Sequence, residues 1–325
     1  MTANSTRPPL ASGALDRDAA TRMDPNLLAA AWNDPAAKLL GLRGVEIPVR
    51  ENGDEVAIAW AVAGQANDAD YAPATDLYLG RINGDPVFAR SVPVNTEHSG
   101  EEVSGSSSDS QALARWCHPF EVGARLTEAE REAIGVASAL IRWHEAASFS
   151  SRDGEPTTAM QGGWARRDAH GGEHFPRTDP AVIVLIEHEN RVLLGSNALW
   201  ETGRFSLLAG FVEAGESLEQ AVLREVFEES GVRLGDITYV TSQPWPFPRS
   251  LMLGFHARLA AGVDPEALTP DPSEISELRW FTRDELRTPD ASLTLPMPLS
   301  IARWMIDRWV AEGDTTTNEP DNRDA

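Results

Sequence analysis

The chain has 325 residues, of which 28 are basic and 50 acidic, for a formal net charge of -22 at pH 7. Its 42% hydrophobic content and mean hydropathy of -0.31 fit a soluble globular protein of about two domains, and no run approaches the ~20 apolar residues of a membrane span. The single cysteine, Cys117, excludes an intrachain disulfide and a four-cysteine zinc site, and the acidic balance excludes broad wrapping of a polyanion.

The start of the chain lacks the basic and apolar pattern of a secretory signal, so a cytoplasmic location and no membrane association are expected. Residues 1–25 are polar and are read as a disordered arm. Residues 26–125 form an amino-terminal domain, in which VAIAWAVAG, DLYLGRI and PVFARSV read as short strands between turns. SGEEVSGSSSDS, Ser99 to Ser110, offers little to bury and is read as a flexible loop.

Residues 126–178 begin with a helix, Leu126 to Ser148, capped by Thr127, and continue into a Gly-rich irregular stretch. A second domain is placed at 179–310. It opens with AVIVLIEHENRVLLGS, two strands bending at Glu189 and Asn190. Residues 311–325 are read as a disordered tail.

The most specific segment is GFVEAGESLEQAVLREVFEESGV, Gly210 to Val232. Gly210 and Gly215 permit a tight loop, Ser217 can cap a helix and Gly231 can end it. Glu225 and Glu229 lie four apart on one helical face with Glu228 beside them. Carboxylates this close repel one another unless a hard divalent cation joins them. Glu216 is paired with Arg224, as a brace between loop and helix.

The segment resembles the Nudix box, GX5EX7REUXEEXGU, at every fixed position. The resemblance implies an α/β fold, a Nudix α/β/α sandwich with a mixed sheet, preceded by a smaller β-containing domain. It implies Mg²⁺ or Mn²⁺ held by Glu225, Glu228 and Glu229, with the Ala209 carbonyl as a further ligand and Glu229 preparing the attacking water.

Ten residues on, SQPWPFPRS spans Ser242 to Ser250, and its three prolines make a stiff, non-helical loop. Following a Nudix box, it resembles the signature of the NADH pyrophosphatase branch, which includes hydrolases of NAD-capped RNA. By that resemblance Gln243, Pro244, Trp245, Pro246, Phe247, Pro248, Arg249 and Ser250 contact a dinucleotide. Phe175, Phe211 and Ala302 line its pocket, and Glu277 completes the metal and phosphate site.

The implied reaction splits NADH or NAD⁺ into AMP and NMNH or NMN, and NAD at an RNA 5′ end presents the same bond. The other readings are hydrolysis of ADP-ribose or diadenosine polyphosphates, and a non-catalytic NAD sensor. A homodimer is expected from the family. One departure stands out: where members carry a four-cysteine zinc ribbon, this chain has Ser150, Asp153, Arg167 and His170, so no structural zinc is expected.

Overall fold

The structure, a computed structural model, describes residues 6–68, 71–93 and 114–316. The loop expected at Ser99 to Ser110, the first five residues and residues 317–325 lie outside them. The chain divides into two compact units. One holds Leu10–Thr178 with Trp245–Arg249, and the other holds Met1–Pro9, Asp179–Pro244 and Ser250–Ala325. The stretches read as separate, 26–125 and 126–178, thus belong to one unit.

In that unit, helices α1 (Ala19–Met23) and α2 (Pro25–Trp32) precede β1 (Lys38–Leu42), β2 (Ile47–Asn52), β3 (Glu55–Ile58) and β4 (Ala61–Val62). Strands β5 (Leu77–Ile82), β6 (Asp85–Ser91) and β7 (Arg115–Cys117) lead to helices α3 (Pro119–Val122) and α4 (Glu128–Ala146). One sheet runs β4-β1-β6-β5 and another β3-β2-β7. α4 starts at a capping box between Thr127 and Glu130, and its apolar face, with Ile134, Ala137, Leu140 and Ile141, packs against Leu40, Leu79 and Val87 of the first sheet.

The disordered arm expected at 1–25 is corrected from residue 6 onward. Leu10 and Leu15 are buried, Asp16 forms a β-bridge with Arg81, and Asp18 accepts hydrogen bonds from Tyr78 and Arg81, both at 2.7 Å. Glu132 on α4 also accepts from Ser12 Oγ, at 2.8 Å, and from the backbone N–H of Gly13 and Leu15. Isolated anchors of this kind carry no periodicity, so composition alone reads the segment as an arm.

Strands β8 (Thr158–Met160), β9 (Ala165–Arg167) and β10 (Glu173–His174) form a small antiparallel sheet in the region of the degenerate ribbon. Its organiser is Asp168, a residue outside the four aligned ligand positions. Asp168 is buried, and its Oδ1 accepts from the His170 and Gly172 amides at 3.0 and 2.7 Å while Oδ2 meets His174 Nε2 at 3.1 Å. The bond to His174, then those to the amides, holds its carboxyl below the usual range. The four aligned positions do other work. Ser150 is buried with its hydroxyl accepting from the Arg152 amide, Asp153 accepts from the Glu155 amide, Arg167 pairs with Glu173, and His170 stands 3.6 Å from Asp153.

The second unit is an α/β/α sandwich. Strands β11 (Asp179–His188), β12 (Arg191–Asn197) and β13 (Leu208–Phe211) precede helix α5 (Leu218–Ser230). β14 (Leu234–Trp245, its last residue counted with the other unit), β15 (Ser250–Leu259) and β16 (Ile275–Thr282) then lead to α6 (Arg283–Arg287) and α7 (Ile301–Thr316). The tail expected from 311 is therefore helical to Thr316. The mixed sheet runs β14-β15-β11-β12-β16, parallel between β11 and β15, with β13 paired to β11.

β11 is buried on both faces, and its alternation builds two cores. Val182, Val184 and Ile186 meet Ala221, Val222 and Val226 of α5, while Ile183 and Leu185 meet Ile301, Met305 and Ile306 of α7. Glu189 and Asn190, both at positive φ, make the turn between β11 and β12.

Asp168→Ala should lower the melting temperature at pH 7, measured by circular dichroism. Because a depressed carboxyl contributes stability above its unfolded pKa and loses it as pH falls through the folded one, the gap to wild type should close in acid. A constant gap from pH 7 to 3 would mean that the carboxylate is not what holds this loop.

Candidate active site

The box places its chemistry through three local devices. Ser217 caps α5 in a capping box with Gln220, Gly231 ends it at φ 74, and the guanidinium of Arg224 ties the preceding loop to the helix. Arg224 holds both Glu216 oxygens at 2.9 Å and donates to the Phe211 carbonyl at 2.9 Å. The same group reaches Glu225 at 2.9 Å and Glu228 at 3.1 Å. Bonding to Arg224 is also what most lowers the Glu216 pKa.

Glu225 lies against Gly210, where a Cβ would overlap its carboxylate. The glycine is needed for room rather than for an unusual backbone angle. Glu228 is the exposed member of the trio, whereas Glu229 is only 7% exposed. Glu229 accepts a hydrogen bond from the Ala209 amide, and its Oε2 is buried without a hydrogen-bond partner. Ala209 thus meets the carboxylate through N–H, a contact that the expectation of a carbonyl ligand did not include.

Burial first, then the negative charges of Glu225 and Glu274, push Glu229 up to about 8. Glu225 is raised by the same burial, against the opposing pull of Arg224, with Glu228 and Glu274 adding to the rise.

Glu274 is a carboxylate near the box that the sequence reading did not single out. The expected distal glutamate, Glu277, stands on β16 opposite Ser196, and a register shift between Ser196 and Asn197 separates it from Ile275. Beyond that shift Leu278 and Trp280 pack in the core under α5, so by alternation Glu277 shares the opposite face with Phe281. Glu274 lies just before β16, and its carbonyl accepts from the Ala198 amide at 2.7 Å. A second glutamate is present in SEISELRWF, and it is the charge of Glu274, rather than that of Glu277, that acts on Glu225 and Glu229.

The expected substrate residues separate into groups. Gln243 is fully buried: its amide donates to the Pro9 and Leu299 carbonyls at 2.8 and 2.9 Å, and its oxygen accepts from the Ile301 amide at 2.7 Å. These bonds join β14 to the start of α7 and engage the side chain of Gln243, which the resemblance assigns to dinucleotide contact. Ala302 is likewise buried in the α7 core. Trp245 stacks on Phe120 with ring centroids 5.3 Å apart, and Phe247 meets both edge-on. Pro246 is buried, while Pro248, which follows a cis peptide bond, and Arg249 are exposed, and Ser250 and Pro244 are half-buried. Phe211 and Phe175 are exposed aromatic rings, in the second and first units respectively.

Among the described residues no three Asp, Glu, His or Cys side chains are preassembled as a metal cluster. The donor set still fits a hard divalent cation: it is all carboxylate oxygen, and one buried oxygen, Glu229 Oε2, lacks a partner.

The NUDIX domain family matches residues 177–300. The NAD-capped RNA hydrolase NudC of Mycobacterium bovis is 38% identical over 312 residues, covering 91% of this chain and 92% of that protein. The chain belongs to the NudC family of Nudix hydrolases. Its likeness to the NudC of Mycobacterium tuberculosis has the same extent, 38% over 312 residues with 91% and 92% covered. NudC of Stutzerimonas stutzeri is 36% identical over 234 residues, 72% of this chain and 76% of that one. The family is a hydrolase family, so the chain is an enzyme.

Two outcomes follow for the site. Gly210→Ala should move the Glu225 carboxylate and lower turnover about 10²-fold, the scale of a 1 Å misplacement, with an unchanged circular dichroism spectrum; near-normal turnover would show that the close contact is dispensable. A raised carboxyl costs stability as pH climbs from its unfolded to its folded pKa. The metal-free protein should therefore lose stability from pH 5 to 8, and Glu229→Gln should flatten that slope in denaturant titrations with a chelator present. Parallel slopes for the two proteins would contradict it.

Proposed function

We propose that this chain hydrolyses the diphosphate bond of NADH or NAD⁺ to AMP and NMNH or NMN, and removes NAD caps from RNA by breaking the same bond. The observation that carries the reading is the carboxylate group of one catalytic unit, with Glu225, Glu228 and Glu274 around a buried Glu229. It is supported by the 38% identity to proteins named NAD-capped RNA hydrolases over 92% of their length. Four carboxylates kept together against their own repulsion favour catalysis over a binding-only sensor.

In this reading Glu225, Glu228, Glu229 and Glu274 hold Mg²⁺ or Mn²⁺. When bound, the cation supplies charge to the diphosphate oxygens and favours the ionised carboxylates. Glu229 Oε2 takes the proton as the water oxygen bonds to phosphorus and the bridging P–O bond breaks. Arg224 keeps the loop and the helix in register, and the exposed Phe211 ring, at the end of β13, offers a stacking face to the nicotinamide or adenine. Ala209 adds its amide contact to Glu229. No helix of the described residues is long and apolar enough to cross a membrane; a cytoplasmic homodimer is the accompanying proposal.

The test is metal-dependent product analysis with NADH, NAD⁺, ADP-ribose and NAD-capped RNA. Glu229→Gln and Glu274→Gln should each lower kcat by about 10²–10⁴, while Glu277→Gln stays within about twofold of wild type. Loss of activity in Glu277→Gln with full activity in Glu274→Gln would reverse the assignment. A wild type that splits ADP-ribose and leaves the nicotinamide dinucleotides intact would overturn the substrate.

A further inference from the structure

The loop between β12 and β13 carries the most exposed large apolar side chain among the described residues, Leu199, at 93%, next to Trp200 at 37%. Arg204 places its guanidinium over the Trp200 ring, 4.8 Å from the centroid, and forms no salt bridge among the described residues. Exposed aromatic surface topped by an uncompensated cation stands out in a chain of net charge -22.

The loop is a built feature. The Leu199 amide donates to Asn197 Oδ1 at 2.9 Å and the Trp200 amide to the Asn197 carbonyl at 3.0 Å. Gly203, at φ 88, sits so close to the Ser292 carbonyl that a Cβ would collide with it, and Thr294 donates to the Gly203 carbonyl at 2.8 Å. The Phe205 ring is anchored in the α7 core. At its other end the loop joins the catalytic group directly, through the Ala198 amide on the Glu274 carbonyl at 2.7 Å. Backbone freedom of the loop is thus reduced before any ligand arrives, which lowers the cost of binding one.

We propose that Trp200 and Arg204 form a platform for the RNA that continues from the dinucleotide cap, with a base stacking at the indole and a backbone phosphate meeting the guanidinium. The inference rests on the hydrolysis of NAD-capped RNA proposed above. Single-stranded nucleic acid is held by aromatic faces together with local cations. On this acidic chain a diffuse field repels the strand, so a short local platform is what can distinguish capped RNA from free dinucleotide. A peptide partner would answer to Leu199 as well, but has no need of the unpaired cation beside a phosphate-cleaving site.

The experiment compares steady-state hydrolysis of NADH and of NAD-capped RNA by the full chain and its Trp200→Ala, Trp200→Phe and Arg204→Gln variants. For Trp200→Ala the KM for capped RNA should rise about tenfold while kcat/KM for NADH stays within about twofold, and Trp200→Phe should restore most of the loss. Arg204→Gln should reduce the log–log salt dependence for capped RNA by about 0.7, the share of one phosphate contact on a single strand. Equal effects on both substrates, or none on either, overturn the platform. If wild type cleaves NADH but not capped RNA, the platform falls and dinucleotide hydrolysis stands; if it cleaves neither, the functional reading falls with it.

Discussion

The geometry of the box depends on the guanidinium of Arg224. It binds both oxygens of Glu216, the carbonyl of Phe211 and the carboxylates of Glu225 and Glu228, so a single planar cation joins the loop to the helix. A lysine could not span those acceptors, because its charge is a point on a flexible stem rather than a planar fork of donors. The brace is also the main opposing charge for Glu225.

With Arg224 committed to the outer carboxylates, Glu229 is left behind the first rank, buried, with one oxygen unpartnered. Such a group is costly as an anion in the metal-free protein and becomes favourable when a divalent cation supplies the missing charge. The strain is therefore local and electrostatic. It is tolerated because the sheet and α5 around it share an apolar core that includes Val182, Val184, Val222 and Val226.

The other unit reaches a similar end by a different replacement. Where the family resemblance implies a four-cysteine ribbon, a buried carboxylate, Asp168, gathers two amides and a histidine. Aromatic packing completes this unit: Trp245 and Phe247 cluster with Phe120, so two rings that read as a ligand platform in the sequence also serve as packing. Phe247 contacts the unit's main core.

The sequence by itself determined the catalytic helix, because capping, carboxylate spacing and the closing glycine are local and obey the helical period. The Glu189–Asn190 turn, the two strands around it and the Glu216–Arg224 brace were legible for the same reason, while the sandwich followed from the resemblance of the box to the Nudix motif. Tertiary structure decided the rest. Which glutamate of SEISELRWF approaches the box depends on how the chain enters β16: Glu274, just before the strand, is the one whose charge reaches Glu225 and Glu229. Gln243 and Ala302 are core groups because α7 packs over them, and Leu10 and Leu15 are ordered because α4 and the sheets of their unit supply surface for them. Each of these outcomes depends on a contact between residues far apart in the chain, and local periodicity carries no information about such contacts.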